Sequence, residues 1–333
     1  MSYPKWSAGE QLLADDMNKV VKFGGDGSDG ALDTSSGAVE IDLEGKAVVV
    51  KNYTSINIVT NNLTFTNPHA NGTIIILKSQ GDVTISATID ASGKGGAGGS
   101  GGAQHDPGNP GGAGKVGISL ITKGTAAGGG DRGSTQSEDG DGGIGGTIAF
   151  PWLYPNGKLL PLTCGSGGGG GGSADNNYGA GGNGGRGGGA ILIECAGALN
   201  FTGTINVSGK NGSSYVNDSR SGGGGGGGAG MAIILYDSLT ANTGTVTATG
   251  GNGGAGGGAT PGSGGSGIEY GGGDSNGGDG GDGNDYTRGG GGAGGCGAGG
   301  NSGTDGANAG DGGGPGGGGG GGSYLIIQNS EIT

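Results

Sequence analysis

Apolar residues in this chain come in short alternating bursts, separated by long stretches where they hardly occur. Between Ala38 and Ala91 the bursts run Val39 to Leu43, Ala47 to Val50, Ile56 to Val59, Leu63 to Phe65, Thr73 to Leu77 and Val83 to Ala91. Short runs rich in β-branched residues and bounded by polar turns predict strands. In the last run Val83, Ile85, Ala87, Ile89 and Ala91 share one face. Short strands at near-regular spacing point to a solenoid or sandwich rather than a βαβ unit. Ahead of them, Leu13, Met17, Val20 and Val21 fall at helical spacing, with Asp15 and Asp16 in the first turn to suit the helix dipole. This predicts a short helix whose apolar face needs covering, by the next domain or by another subunit.

The strand pattern returns later as a repeat. Gly72 to Leu77 followed by Val83 to Lys94 is matched by Gly189 to Ile193 followed by Leu199 to Lys210. A further copy is Gly230 to Leu235 followed by Thr243 to Gly250, and Ser323 to Ile327 supplies half a unit. Each unit pairs an unbroken aliphatic strand with an alternating one, and consecutive aliphatics imply burial on both faces. The units are expected to stack.

Between the units lie glycine tracts: Lys94 to Gly102, Gly165 to Gly189, Gly222 to Gly230, Gly250 to Gly258 and Gly271 to Gly322. Over several turns they read as two glycines and then one small or polar residue, as in Gly250-Gly251-Asn252-Gly253-Gly254-Ala255. A period of three is that of the left-handed polyproline II helix, which has no internal hydrogen bonds. Ordering a glycine costs roughly 1–2 kcal/mol of backbone entropy with no side-chain burial in return, so neighbouring tracts must bond to one another. The third residue of a triplet is expected to face solvent, and the unbroken run Gly222 to Gly228 to lie inside. With 9 prolines among 333 residues the chain lacks the imino-acid content of collagen.

Charge and composition remove several function classes. The net charge is -13 with no basic cluster, so nucleic acid is not an expected partner. No apolar run approaches the ~20 residues of a membrane-spanning helix, and no Sec-type leader is read in residues 1 to 30. Cys164, Cys195 and Cys296 are odd in number and widely spaced, and read as buried thiols rather than a disulfide framework or a zinc site. His69 and His105 stand in no triad or metal spacing. Glu138, Asp139 and Asp141 read as an exposed acidic loop. Gly24 to Gly30 matches the opening of a calcium-binding nonapeptide, yet no adjacent copy follows to form the stacked turns that motif needs. The chain is therefore read as non-enzymatic, with no cofactor and no metal.

The aromatic residues fall between tracts. Trp152 and Tyr154, in Phe150 to Pro155, and Tyr178, Tyr215, Tyr270 and Tyr286 sit in interruptions rich in Asn, Asp, Ser and Arg. Tyrosine beside Ser, Gly and Asn is the composition of adaptable recognition loops. The alternative is that these side chains plug the ends of the array and cover glycine backbone.

Two stretches carry a family resemblance. Trp6-x-x-Gly9-x-x-Leu12-x-Ala14-x-x-Met17-Asn18 resembles N-terminal segments of phage tail-fibre and virion structural proteins. Gly25 to Leu32, the strands after it, and Thr88 to Gly96 running into glycine resemble glycine-rich tail-fibre adhesins of T-even-like phages. The resemblance implies packed polyglycine II helices presenting variable loops to a host receptor. The expected fold is all-β: a β-solenoid or sandwich-like region over 24–92, after an attachment segment over 1–23, then a polyglycine II bundle with interleaved strand pairs over 93–333. Trp6, Leu13, Met17 and Val20 would dock to the virion, and Trp152, Tyr154, Tyr178, Tyr215, Tyr270 and Tyr286 would meet the receptor. The implied partners are a host-surface glycan or protein, tail or baseplate proteins, and further copies of the chain, with no membrane insertion. The implied location is the virion, reached by lysis. The rival reading is a self-assembling bacterial surface layer or filament.

Overall fold

The computed structural model describes residues 23–103, 111–115, 117, 162–174, 179–215, 220–256, 261–264, 268–269, 276–281, 288, 290–298, 301–307 and 313–329. Its regular elements are all strands. The chain lays them down in passes: β1 (Ala31–Asp33) and β2 (Val39–Asp42), then β3 (Val48–Tyr53), β4 (Ser55–Ile58) and β5 (Leu63–Thr66). There follow β6 (Asn71–Gly72), β7 (Ile74–Ser79), β8 (Val83–Ile85), β9 (Thr88–Asp90) and β10 (Gly95–Gly96). After a glycine tract come β11 (Ala190–Phe201) and β12 (Thr204–Asn206), then β13 (Met231–Asn242) and β14 (Thr245–Thr247), and finally β15 (Ile268–Glu269) and β16 (Ser323–Gln328).

The passes stack in register into two parallel sheets. In the larger, the 12-residue β11 pairs with β7 through its first half and β8 through its second, with β13 and then β16 on its other side. The smaller sheet runs β14-β12-β9-β5-β2. The short β10 and β6 pair antiparallel. Ile75, Leu77, Ile85, Ile191, Ile193 and Phe201 of the larger sheet join Leu63, Phe65, Ile89 and Ile205 of the smaller in one core. Burying each such side chain stabilises by about 1.5–3 kcal/mol. On the outer face of the larger sheet Ile74, Ala190, Ile233 and Leu235 pack with Leu162, Cys164 and Ala298. This is the burial on both faces that consecutive aliphatics imply.

The corners between sheets repeat as regularly as the strands. Ser86 and Ala87 both donate their amides to the carbonyl of Ile58, Thr202 and Gly203 to that of Ile85, and Thr243 and Gly244 to that of Phe201. Asx turns occur at both kinds of corner: Asp33 accepts from the Ser35 amide where β1 leaves the larger sheet, and where strands leave the smaller sheet Asp42 accepts from Glu44, Asp90 from Ser92 and Asn206 from Ser208. These side chains serve amides that the bend removes from the ladder.

The structure corrects several expectations. The alternating run Val83 to Ala91 is not one strand: it breaks at Ser86-Ala87 and crosses from the larger sheet to the smaller as β8 and β9. Alternation continues through the corner because both sheets turn their inner faces to the same core. The solenoid expectation fails because the sheets are open among the described residues, ending at β1 and β3 on one side and β15 on the other in the larger, and at β2 and β14 in the smaller. The polyglycine II helix bundle, and with it the structural half of the resemblance to glycine-rich tail-fibre adhesins, is also overturned. No helical element occurs among the described residues, and the regular structure is β throughout. Tract amides bond to carbonyls remote in sequence, such as Gly185 to Gly225 at 2.8 Å, so the rhythm of three marks bonding between tracts. The short helix expected over Leu13 to Val21 lies outside the described residues.

Candidate functional site

The tracts pack into an array whose centre is Gly222 to Gly228, all buried. Amides 222, 225 and 228 donate to Gly172, Gly169 and Ser166; amides 223, 226 and 229 donate to Gly314, Gly317 and Gly320; amides 224, 227 and 230 donate to Ser213, Lys210 and Val207. The carbonyls of the same segment accept from Gly182 and Gly185, from Gly251 and Gly254, and from Gly292. Every third residue thus faces the same neighbour. The segment is bonded on all sides, with bonds of 2.7 to 2.9 Å. At about 0.5–1.5 kcal/mol per bond, one donated and one accepted at most positions, the array offsets the entropy of ordering glycine.

At the rim of the described array polar side chains take the place of a neighbouring tract. Amides of Gly209, Gly212 and Tyr215 donate to carbonyls of Thr249, Asn252 and Ala255. In return the amides of Thr249, Asn252 and Ala255 donate to Ser208 Oγ, Asn211 Oδ1 and Ser214 Oγ, at 3.3, 2.9 and 3.3 Å. The device recurs: Gly101 donates to Asn183 Oδ1, Asn183 to Ser213 Oγ, Gly264 to Asn252 Oδ1, Ser263 to Thr304 Oγ1 and Asp279 to Asp305 Oδ1. A triplet's third residue therefore does more than face water. It supplies an acceptor to the adjacent tract's outermost amide, which explains why Asn, Ser, Thr and Asp dominate there.

Three rim segments, 208–215, 250–256 and 261–264, enclose a groove of about 400 Å³. Asn211, Ser214, Asn252 and Ser263 line it and are exposed, over a floor that includes buried Gly253 and Gly254. Among the described residues no charged one lines it. Asn211 Oδ1 and Asn252 Oδ1 are both engaged by backbone amides. Their Nδ2 groups are donors not used in those bonds, on residues that line the groove.

Cations occur where the array meets the sheets: Arg186 and Lys94 are half-buried there and Lys210 is exposed. Arg186 donates through Nε to the Gly93 carbonyl at 3.1 Å and through a terminal nitrogen to the carbonyls of Gly95 and His69 at 3.0 and 3.2 Å. Burial lowers its pKa from the ordinary guanidinium value. Lys210 Nζ donates to Ser92 Oγ at 2.8 Å. Burial, opposed by Asp90, lowers the pKa of Lys94 as well.

Of the residues singled out for recognition, the structure describes Tyr215 alone. It is partly buried, with its amide 3.3 Å from the Ala255 carbonyl, directly after Ser214 of the groove. Trp152, Tyr154, Tyr178, Tyr270 and Tyr286, and the attachment residues Trp6, Leu13, Met17 and Val20, lie outside the described residues. The acidic loop residues Glu138, Asp139 and Asp141 and His105 do so too. His69 stands in a turn, with Nδ1 accepting from the Asn71 amide. In the turn Gly24 to Gly30, Asp26 accepts from the Ser28 amide, and Asp29 accepts from the Asn52 amide and faces Lys51. Among the described residues no group of three His, Cys, Asp or Glu is placed to hold a metal ion. Cys164, Cys195 and Cys296 are buried thiols and join in no disulfide. Sequence reading missed Asn211, Ser214, Asn252 and Ser263. The signal was available for the first three, in polar acceptors spaced by three along Ser208, Asn211, Ser214 and one tract over at Asn252.

Compared with known proteins, the chain matches no family model, no curated protein and no solved structure.

Proposed function

We propose that this chain is a non-enzymatic attachment protein, the receptor-binding part of a tail fibre or a device of that kind, which holds recognition loops rigid for contact with a host cell surface. The observation that carries this reading is the array itself: backbone bonds on all sides of Gly222 to Gly228 fix the position of each tract and of its ends. Loops rooted in a stiff frame lose little entropy when they bind. Tyr215 stands at such a tract end. The acidic surface suits a protein that stays soluble while exposing much backbone.

The test is binding of the fluorescently labelled chain to a panel of bacterial cells, beside a variant with Tyr178, Tyr215, Tyr270 and Tyr286 changed to alanine. Saturable binding to some strains, lost in the variant, is expected. Absence of binding to every strain, accompanied by concentration-dependent fibres in electron micrographs, overturns the proposal in favour of a self-assembling surface layer or filament.

A further inference from the structure

We infer that the groove between segments 208–215, 250–256 and 261–264 is a binding site for a neutral glycan. The inference names a ligand class for the attachment proposed above and rests on that reading. Its volume of about 400 Å³ lies within the ~300–1,000 Å³ of small-ligand sites.

The chemistry of its lining selects the ligand. Asn211 and Asn252 each spend the carboxamide oxygen on a backbone amide, at 2.9 Å in both cases. The oxygen fixes the plane of the carboxamide, so the Nδ2 donors are oriented before any ligand arrives. Ser214 Oγ accepts from the Ala255 amide, and its own proton is left to donate. The exposed Ser263 adds a hydroxyl. The site is thus rich in fixed neutral donors and suits a ligand rich in neutral acceptors, such as sugar hydroxyl and ring oxygens.

Two other features narrow the class. Among the described residues no lysine or arginine lines the groove of this acidic chain, so a phosphate, sulfate or sialic-acid carboxylate would find no counter-charge there. The floor at Gly253 and Gly254 is bare backbone, a flat surface for the C–H face of a pyranose ring. A peptide ligand would seek an unpaired strand edge or an apolar pocket. The floor amide of Gly253 is already taken by the Gly262 carbonyl, and that of Gly254 by Gly224.

The experiment is retention of the full chain on a printed array of neutral hexose and N-acetylhexosamine oligosaccharides, with sialylated and phosphorylated oligosaccharides beside them. It compares the natural chain with the double variant Asn211→Asp, Asn252→Asp. Aspartate keeps an oxygen for the Asn252 and Gly264 amides but removes the Nδ2 donors, so an unchanged melting temperature shows the array intact. Expected is saturable retention on one or more neutral glycans, weakened about tenfold or more in the double variant, because a buried or oriented polar partner left unmatched is costly. Retention on charged glycans only, no retention at all, or retention equal in the double variant overturns the inference. Cell binding that survives in the double variant, with no glycan retained, leaves the attachment reading standing and removes the groove. Glycan retention without binding to any cell does the reverse.

Discussion

A β-carbon placed on Gly225 would stand 1.9 Å from the carbonyl oxygen of Ala293. The obstruction is backbone held in its own bonds, and no rotamer relieves it. The Gly225 amide donates to Gly169, and Gly169 in turn donates to Ala293. Gly225→Ala is expected to destabilise by at least about 1–3 kcal/mol, as over-packing does in a tight core. Gly37→Ala, where a β-carbon meets nothing within 4 Å, is expected to stay within about 0.5 kcal/mol. Chemical denaturation of the two variants compares them directly. Equal stabilities would show that close packing of the tracts does not hold the array.

Alkaline pH is expected to weaken the fold through buried thiols. Burial pushes Cys164 up to about 12 and Cys195 up to about 11, from an ordinary value of 9.0. Below that value both states hold the thiol neutral and the stabilisation is fully present. As pH rises past it the unfolded chain ionises first, so stability falls from about 9 toward 12. Tyr53, pushed up to about 12 by burial and then by Asp29, acts in the same direction above 10.0. Urea midpoints should decline over this window, less steeply in Cys164→Ala. An identical decline in that variant would show that Cys164 contributes nothing to it.

At the acid end the Asx turns set the response. Amide donation from Ser35 lowers the pKa of Asp33, and amide donation from Glu44 lowers that of Asp42, from the ordinary 3.8. A depressed carboxyl stabilises the fold above its unfolded value and loses that contribution as pH falls through the folded one. Stability should therefore drop below about 3.8 in the natural chain. Asparagine keeps the acceptor without titrating, so Asp33→Asn, Asp42→Asn should flatten the acid limb of a melting-temperature profile. An unchanged limb assigns acid sensitivity to other carboxyls.

Glu194 ties three parts of the chain together. Its Oε2 stands 2.9 Å from Lys78 Nζ on the neighbouring strand and accepts the Gly24 amide at 3.1 Å, with both side chains nearly nine-tenths covered. Glu194→Ala removes both contacts and should cost about 2–3 kcal/mol, somewhat less than the ~3–5 kcal/mol of breaking a fully buried pair. Glu194→Gln, which keeps the acceptor for Gly24, should fall between. Thermal melts of the three proteins give the order, and a Gln variant as weak as the Ala one would assign the effect to charge alone.

Strand positions were legible because they follow from local alternation and β-branching. The runs at Val39, Ile56, Leu63 and Thr73 all contain the observed strands to within a few residues. The break at Ser86-Ala87 was not legible, since inward and outward positions keep alternating through a corner. Tyrosines are conspicuous in composition, whereas the groove lined by Asn211, Ser214, Asn252 and Ser263 is brought together from separate segments and is not.

Local chemistry thus settles which residues lie in strands, which tracts can tolerate bare backbone, and which triplet positions carry polar groups, because each depends on neighbours a few residues away. The partner of a tract amide is another matter. Glycine has no side chain to mark one neighbour from another, so pairings such as Gly225 with Gly169, or Asn252 with Gly264, depend on where the stacked strands launch each tract. The parallel register of β7, β11, β13 and β16 is what turns uniform glycine sequence into one defined set of contacts.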